Sequence, residues 1–536
     1  MAGPAPAGYT RNVKRETGAS ALVQVVVVTA LVAGGVFLYW KFQSEEKRIM
    51  DLAVAAKELT GGDDAPALLK AKKKMGEIPE ERIEKNDAIL STAAELESQL
   101  YQAYGVKESK ERAQRYVTLL KEREVNTAER YAAEAYLLLG DGRANDAETM
   151  LMELVNNRGA RHAKLLHALS VAKLQQGKGK EAVVAAVEGQ KLSTQLVRLP
   201  IAEGDALYAI GNVPSAANAY LKAKKQNADH MRARTALTLL AALTRQAKSS
   251  ELLKELDRQL QETQEHPDYG GNPPPRVKGF IEYAKGEVYL ADNNAKEALA
   301  FAEASLATDP GQPSTFALKG RALAKLGKLD DARASFDEAL KIAPSSLPIA
   351  KAAYDVLSRT GKAADGIGYL QKVIEANPEN GMSYVELSLA QSLAGKGKDA
   401  LATADKAIEK LGNAHDLAVF AKGRALQADG QLDKARETYG EALGYHNNPD
   451  WAELYFALGQ LRFAEKNWDD AVGTLAQAIK IWDRTGAGID LVADAWELTG
   501  KAYDQMGKKK RGEAREAFQK ADSLRRGLAK GPAEAP

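Results

Sequence analysis

Apolar positions fall along this chain in two regimes. Between Ala21 and Trp40 they are nearly continuous: ALVQVVVVTALVAGGVFLYW carries no charge, and Gln24 and Thr29 are its polar side chains. Wound as a helix, the run is about 30 Å long, the thickness of bilayer hydrocarbon. Tyr39 and Trp40 close it, where amphipathic rings favour the membrane interface. The run outlasts the apolar core of a signal peptide and passes Gly34-Gly35 without an A-x-A cleavage site. It predicts a transmembrane anchor over 19–42, held in lipid by Ala21, Leu22, Val25, Val28, Leu31, Phe37, Leu38, Tyr39 and Trp40. Ser44 to Leu59 then predicts a helix leaving the membrane, which TGGDDAP (60–66) breaks. Short helical stretches follow to about residue 125.

From there a longer rhythm takes over. Small residues recur at Ala147, Ala182, Ala216, Ala298, Ala332, Gly366, Ala400, Ala435 and Ala471, most of them 34 to 36 apart. Five residues ahead of many sits a glycine: Gly142, Gly177, Gly211, Gly327, Gly361, Gly395 and Gly430, with Asn293 once in the same place. Both residue types tolerate the left-handed conformation that ends a helix. Twelve ahead stands Gly204, Gly286, Gly320, Gly423 or Gly459, and four behind a larger group such as Tyr220, Phe336, Tyr439 or Leu475. Pro310, Pro344 and Pro378, again 34 apart, mark joints, because a helix stops before proline. The offsets describe one unit: a helix, a tight turn and a second helix. The small residues let the two helices approach, and the large one plugs the gap to the next unit.

This pattern resembles the tetratricopeptide repeat. FALKGRALAKLGKLDDARASFDEALKIAP supplies Phe316, Gly320, Gly327, Ala332, Phe336, Ala339 and Pro344 in the family's order. AELYFALGQLRFAEKNWDDAVGTLAQAI supplies Tyr455, Leu458, Gly459, Ala471 and Ala478, and the last unit Trp496, Gly500, Tyr503, Gly507, Ala514 and Phe518. The resemblance covers about 126–525. It implies an all-α, right-handed solenoid of about 9–11 helix–turn–helix repeats, one of them degenerate, behind a single transmembrane helix. The chain then divides into an unstructured basic tail (1–18), the anchor (19–42), a helical membrane-proximal region (43–125), a first array (126–262), a Pro/Gly loop (263–276), a second array (277–525) and an unstructured tail (526–536).

Composition narrows the chemistry. The 74 basic and 72 acidic residues leave a net charge of +2, so no global basic field invites nucleic acid. Zero cysteines exclude disulfides and thiolate metal sites. Of the six histidines, His162 and His167 lie closest, but an i,i+5 spacing does not align two ligands on one helix face, and the histidines read as exposed. GKGK at 177–180 and 395–398 falls in repeat turns and lacks the rest of a phosphate loop. The basic clusters KAKKKMG and GKKKRGEAR carry no aromatics for base stacking and read as solvated faces. No enzyme activity, metal or cofactor is expected.

What the resemblance implies instead is a surface. In such arrays the first helix of each repeat lines a concave groove that takes partner proteins or extended peptides. Carrying those positions across gives Tyr283, Glu287, Arg321, Lys325, Lys351, Asp355, Arg359, Phe420, Arg424, Phe456, Gln460 and Phe463. Arginine can clamp a carboxylate there, and exposed phenylalanine can anchor an apolar side chain. The family's clamp for chaperone tails needs asparagines that are missing; Lys351 is followed by Asp355. The expected function is a single-pass membrane scaffold in a bacterial envelope assembly, whether secretion, pilus, motility or cell-wall machinery. The short tail with Arg11, Lys14 and Arg15 favours a cytoplasmic N-terminus and a periplasmic body at the inner membrane. A cytosol-facing receptor for chaperones or imported preproteins is the alternative. Ala30 and Gly34 offer a small-xxx-small contact for a weak homodimer through the anchor.

Overall fold

The computed structural model describes residues 18–157, 159–210, 212–244, 246–446, 450–485 and 489–530. The expected N-terminal tail falls outside these residues up to Gly18, as do Gly211 and the side chains of Ala21 and Leu22, whereas 526–530 of the expected C-terminal tail continue the last helix. Every element among the described residues is helical. Helix α1 runs unbroken from Gly18 to Thr60, joining the anchor and the exit helix into one rod of 43 residues, about 65 Å long. Its first half is bare: Val25, Val28, Leu31, Phe37, Leu38, Tyr39 and Trp40 are each more than half exposed. Its second half buries Ile49, Ala53 and Ala56, spaced as one helix face, against α2 (Ala65–Gly76) and α4 (Asp87–Tyr104). The short α3 (Glu80–Lys85) lies beside them and adds Ile83 to that core.

Twelve helix pairs follow one another from α4. They are α4 with α5 (Ser109–Glu122), α6 (Ala128–Gly140) with α7 (Ala144–Met152), α8 (Ala163–Gln175) with α9 (Gly179–Leu192), and α10 (Arg198–Ala209) with α11 (Val213–Gln226). Next come α12 (Met231–Leu243) with α13 (Ser249–Glu265), α14 (Pro275–Ala291) with α15 (Ala295–Thr308), α16 (Pro313–Lys325) with α17 (Leu329–Ile342), and α18 (Leu347–Arg359) with α19 (Ala363–Ala376). The last are α20 (Gly381–Leu393) with α21 (Gly397–Leu411), α22 (Asp416–Ala428) with α23 (Leu432–Tyr445), α24 (Ala452–Ala464) with α25 (Trp468–Thr485), and α26 (Ile489–Gln505) with α27 (Arg511–Lys530). The eleven pairs from α6 onward match the expected solenoid; α4–α5 stacks on them as a further pair.

The repeat positions act as their types require. Gly327, Gly361 and the other described turn glycines have positive φ, and so does Asn293. Ala147, Ala182, Ala216, Ala298, Ala332, Ala400, Ala435 and Ala471 are fully buried. The large residue reaches the next unit, as Phe336 meets Tyr369 edge-on at 6.3 Å, and it also lies on the glycine of its own pair. A Cβ added at Gly320 would stand 2.9 Å from the Phe336 ring, and one at Gly204 2.6 Å from that of Tyr220. The absent side chain is the socket that admits the ring.

The pairs wind into a superhelix whose coils touch. Helix α4 packs on α14, five pairs further on. The Gln176 carbonyl, after α8, accepts hydrogen bonds of 3.4 Å from Asn377 and Asn380, after α19. The first helices of the pairs therefore surround a channel. The Pro/Gly loop is shorter than 263–276: α13 holds helix to Glu265, α14 starts at Pro275, and a 3-10 turn, Pro267–Tyr269, lies between. Tyr269 is buried with Ala65 and Val277, and Asp268 pairs with Lys70 at 3.0 Å, so the loop closes on α2.

Candidate interaction surface

The first coil of the channel is already occupied. The turn between α1 and α2 enters it and meets Tyr104 of α4, Arg198 of α10, and Asn227 and His230 just ahead of α12. Gly61 and Gly62 let the chain reverse, and Asp63 takes a left-handed φ of 55°. Asp64 caps α2 by accepting from Ala67 N at 2.7 Å, and also accepts from Asn227 Nδ2 at 2.6 Å. The Asp63 carbonyl accepts from Tyr104 Oη at 2.8 Å and lies 3.3 Å from His230 Nε2.

A charge network locks this wedge. The Asp63 side chain is buried and stands 3.3 Å from Arg198, which reaches Glu95 at 3.1 Å. Lys164 bridges Glu95 at 2.6 Å and Glu129 at 3.1 Å. Burial pushes the Asp63 carboxyl up to about 6, against the pull of Arg198. Burial, with Arg198 adding to it, holds the His167 imidazole well below its usual range, 2.8 Å from Tyr136 Oη. His167 and His230 are thus buried, not exposed as read from sequence, because the wedge covers the channel wall on which they sit. Beside the wedge a cavity of about 1110 Å³ remains, walled by α8, α10, α12 and α14 with Val171, Ile201, Arg232 and Phe280 among its lining.

The twelve residues assigned to a groove lie on α14, α16, α18, α22 and α24, most of them in the second coil. Tyr283 stacks on Phe280 at 6.0 Å, and Glu287 is buried in an ion pair with Arg321. Tyr208 of α10 faces that pair; burial and then Glu287 raise its hydroxyl to about 12. Lys325 donates to Asn293 Oδ1 at 2.7 Å. Lys351 stands 3.4 Å from Asp355 and 3.6 Å from Glu386. Burial lowers its ammonium, but the two acids outweigh that and hold it above the usual lysine value. Arg359 is exposed at the end of α18, and Arg424 donates to Gln460 at 2.5 Å.

Phe420 is a correction. It is 7% exposed, packed between Trp451 at 5.1 Å and Tyr439 at 5.9 Å, so it belongs to the core. Phe456 rests on Trp482 at 5.6 Å, and Phe463 meets Trp468 edge-on at 4.9 Å; both keep partial exposure. Arg321 likewise faces an acid of its own chain instead of an open clamp. The residues of the wedge, Asp63, Glu95, Lys164, Arg198, Asn227 and His230, escaped the sequence reading. The paired acids in TGGDDAP were the one available signal. Among the described residues no three His, Asp or Glu side chains are grouped to hold a metal ion.

The fold defines a helical repeat solenoid with an apolar helix standing free at one end. Two stretches of it match models of the tetratricopeptide repeat, residues 313–346 and 420–487. Comparison with curated proteins finds no match. Among solved structures, the crystal structure of the APC/C hetero-tetramer Cut9-Hcn1 is similar at 13% identity, over 80% of this chain and 87% of that one. Its TM-score of 0.33 is too low to carry an argument. Tetratricopeptide arrays serve as protein–protein interaction scaffolds.

Proposed function

We propose that this protein is a membrane-anchored docking scaffold whose two coils have separate tasks. The first grips the anchor; the second, from α16 to α26, receives a partner protein or an extended segment of one. One observation carries the reading: a bare apolar stretch, long enough to span a bilayer, continues without a break into a helix seated in the array. Water does not tolerate so much exposed apolar surface, and lipid covers it. The inner face of the second coil keeps Lys325, Lys351, Arg359 and Phe463 accessible for contact.

The setting we favour is a bacterial cell-envelope assembly, with the N-terminus in the cytoplasm and the array in the periplasm. Arg11, Lys14 and Arg15 ahead of the apolar stretch and the cysteine-free chain support it. Ala30 and Gly34, with nothing packed against Gly34, leave room for a second anchor. Photo-crosslinkers at Lys325 and Phe463 should capture a partner in intact cells, while the same group on the outer face, at Lys341, captures none. Equal capture from both faces moves the site off the channel. Protease added to spheroplasts should degrade the array; an intact array turns the orientation round and favours the cytosol-facing receptor.

A further inference from the structure

The two coils meet along a seam. One side is the α8–α9 turn, Gln176 to Lys180; the other is Ser345, Asn377, Asn380 and His415, which precedes α22. Gly177, with a φ of 76°, sits so close that an added Cβ would be 3.0 Å from Asn380 Nδ2 and 3.5 Å from Ser345 O. The seam is therefore a fitted contact and not a chance approach.

One bond in it depends on a proton. Lys180 Nζ lies 3.3 Å from His415 Nε2. An ammonium has no lone pair, so Lys180 donates and His415 must present an unprotonated Nε2. The nearest acid is committed elsewhere: Asp416 Oδ2 is bound to His446 Nδ1 at 2.6 Å, and Oδ1 accepts from Leu417 N at 2.8 Å. His415 Nδ1 stays 3.6 Å from that carboxylate, buried and without a hydrogen bond. The other charges at the seam are held in pairs, Lys178 with Glu148 at 2.6 Å and Lys410 with Glu379 at 2.8 Å.

We propose that this seam is a proton-sensitive latch: neutral His415 ties the coils together through Lys180, and protonation of His415 sets two cations against each other and parts them. Burial, and then the charge of Lys180, hold the His415 imidazole below its usual value. The closed seam thus binds fewer protons than the open one. It is fully set above about pH 6.5 and weakens as the pH falls below that. A parted seam gives a partner segment a lateral way into the channel. That consequence rests on the scaffold reading; the latch itself does not.

The chain has no cysteine, so spin labels can be placed cleanly at Gln175→Cys and Glu375→Cys, exposed positions one and two residues from Gln176 and Asn377. Full-length protein in lipid nanodiscs is compared at about pH 7.5 and about pH 5.5. A long-distance population should grow in acid, by at most about ten-fold, because pH 5.5 lies about one unit below the usual histidine value. His415→Gln keeps an acceptor, cannot be protonated and should stay closed at both values. Lys180→Met, at an exposed position, removes the second cation and should blunt the acid response. An unmoved parent, or either variant responding as the parent does, overturns the latch.

Discussion

Several pairs depend on one missing side chain and one large one. Phe336 occupies the space that Gly320 leaves, and Tyr220 the space left by Gly204. Gly320→Ala should therefore overpack its pair and cost about 1–3 kcal/mol, read as a lowered thermal midpoint. Lys466 holds the turn place that glycine fills elsewhere, with a left-handed φ of 62°. Lys466→Gly relieves that strain and should stabilise its pair by about 0.5–1 kcal/mol, seen as slower hydrogen exchange in α24 and α25. Asp63 supplies a pH test. Its folded pKa is raised from 3.8 to about 6, so its contribution is fully present below the lower value and is lost as the pH rises through the upper one. Asp63→Asn removes the titration. The stability of the variant relative to the parent should climb between about pH 4 and 6 and level off above that, by at most about 3 kcal/mol. A flat difference across that range would refute the buried charge. The turn glycines were legible in the sequence because a left-handed residue needs no tertiary partner. The fate of Phe420 was not. It shares its register with Phe456, yet a longer link after α23 brings Trp451 over Phe420 and removes it from the channel wall.

Among elements, the wedge of α1 and α2 sets the behaviour of the N-terminal half. It docks through a buried ion pair, and such a pair is most damaging when one partner is removed. Arg198→Met strands both Asp63 and Glu95 and should weaken docking by about 3–5 kcal/mol. Limited proteolysis reads this directly: the parent resists cleavage at Gly61–Asp64, and the variant is cut there first. The pair α4–α5 was hidden for a local reason. Its turn glycine, Gly105, stands eight residues ahead of the buried Ala113 instead of five, so the spacing rule passes over it although the packing is the same. The degenerate pair α12–α13 shows the converse. Its turn lacks the glycine, while Leu239, Leu252 and Leu256 still bury a common core with α14.

The whole molecule behaves as a coiled array in which each pair is supported by its neighbours. Ala332 is fully buried between α16 and α17. Ala332→Trp should open that pair and then speed hydrogen exchange in α14–α15 and α18–α19, leaving α4–α7 protected. Contact between coils was beyond sequence reading. It is made by Gln176, Asn377 and Asn380, loop residues some 200 positions apart whose types are ordinary in turns.

Helix α1 has no joint between its bare apolar half and the half gripped by α2 and α4. A bilayer thinner than the apolar stretch tilts such a rod. With nothing along it to bend, the lean passes whole into the body, and the outermost repeats sweep furthest. With α1 as the proposed anchor, membrane thickness becomes a displacement at the far end of the molecule, like the pointer of a gauge.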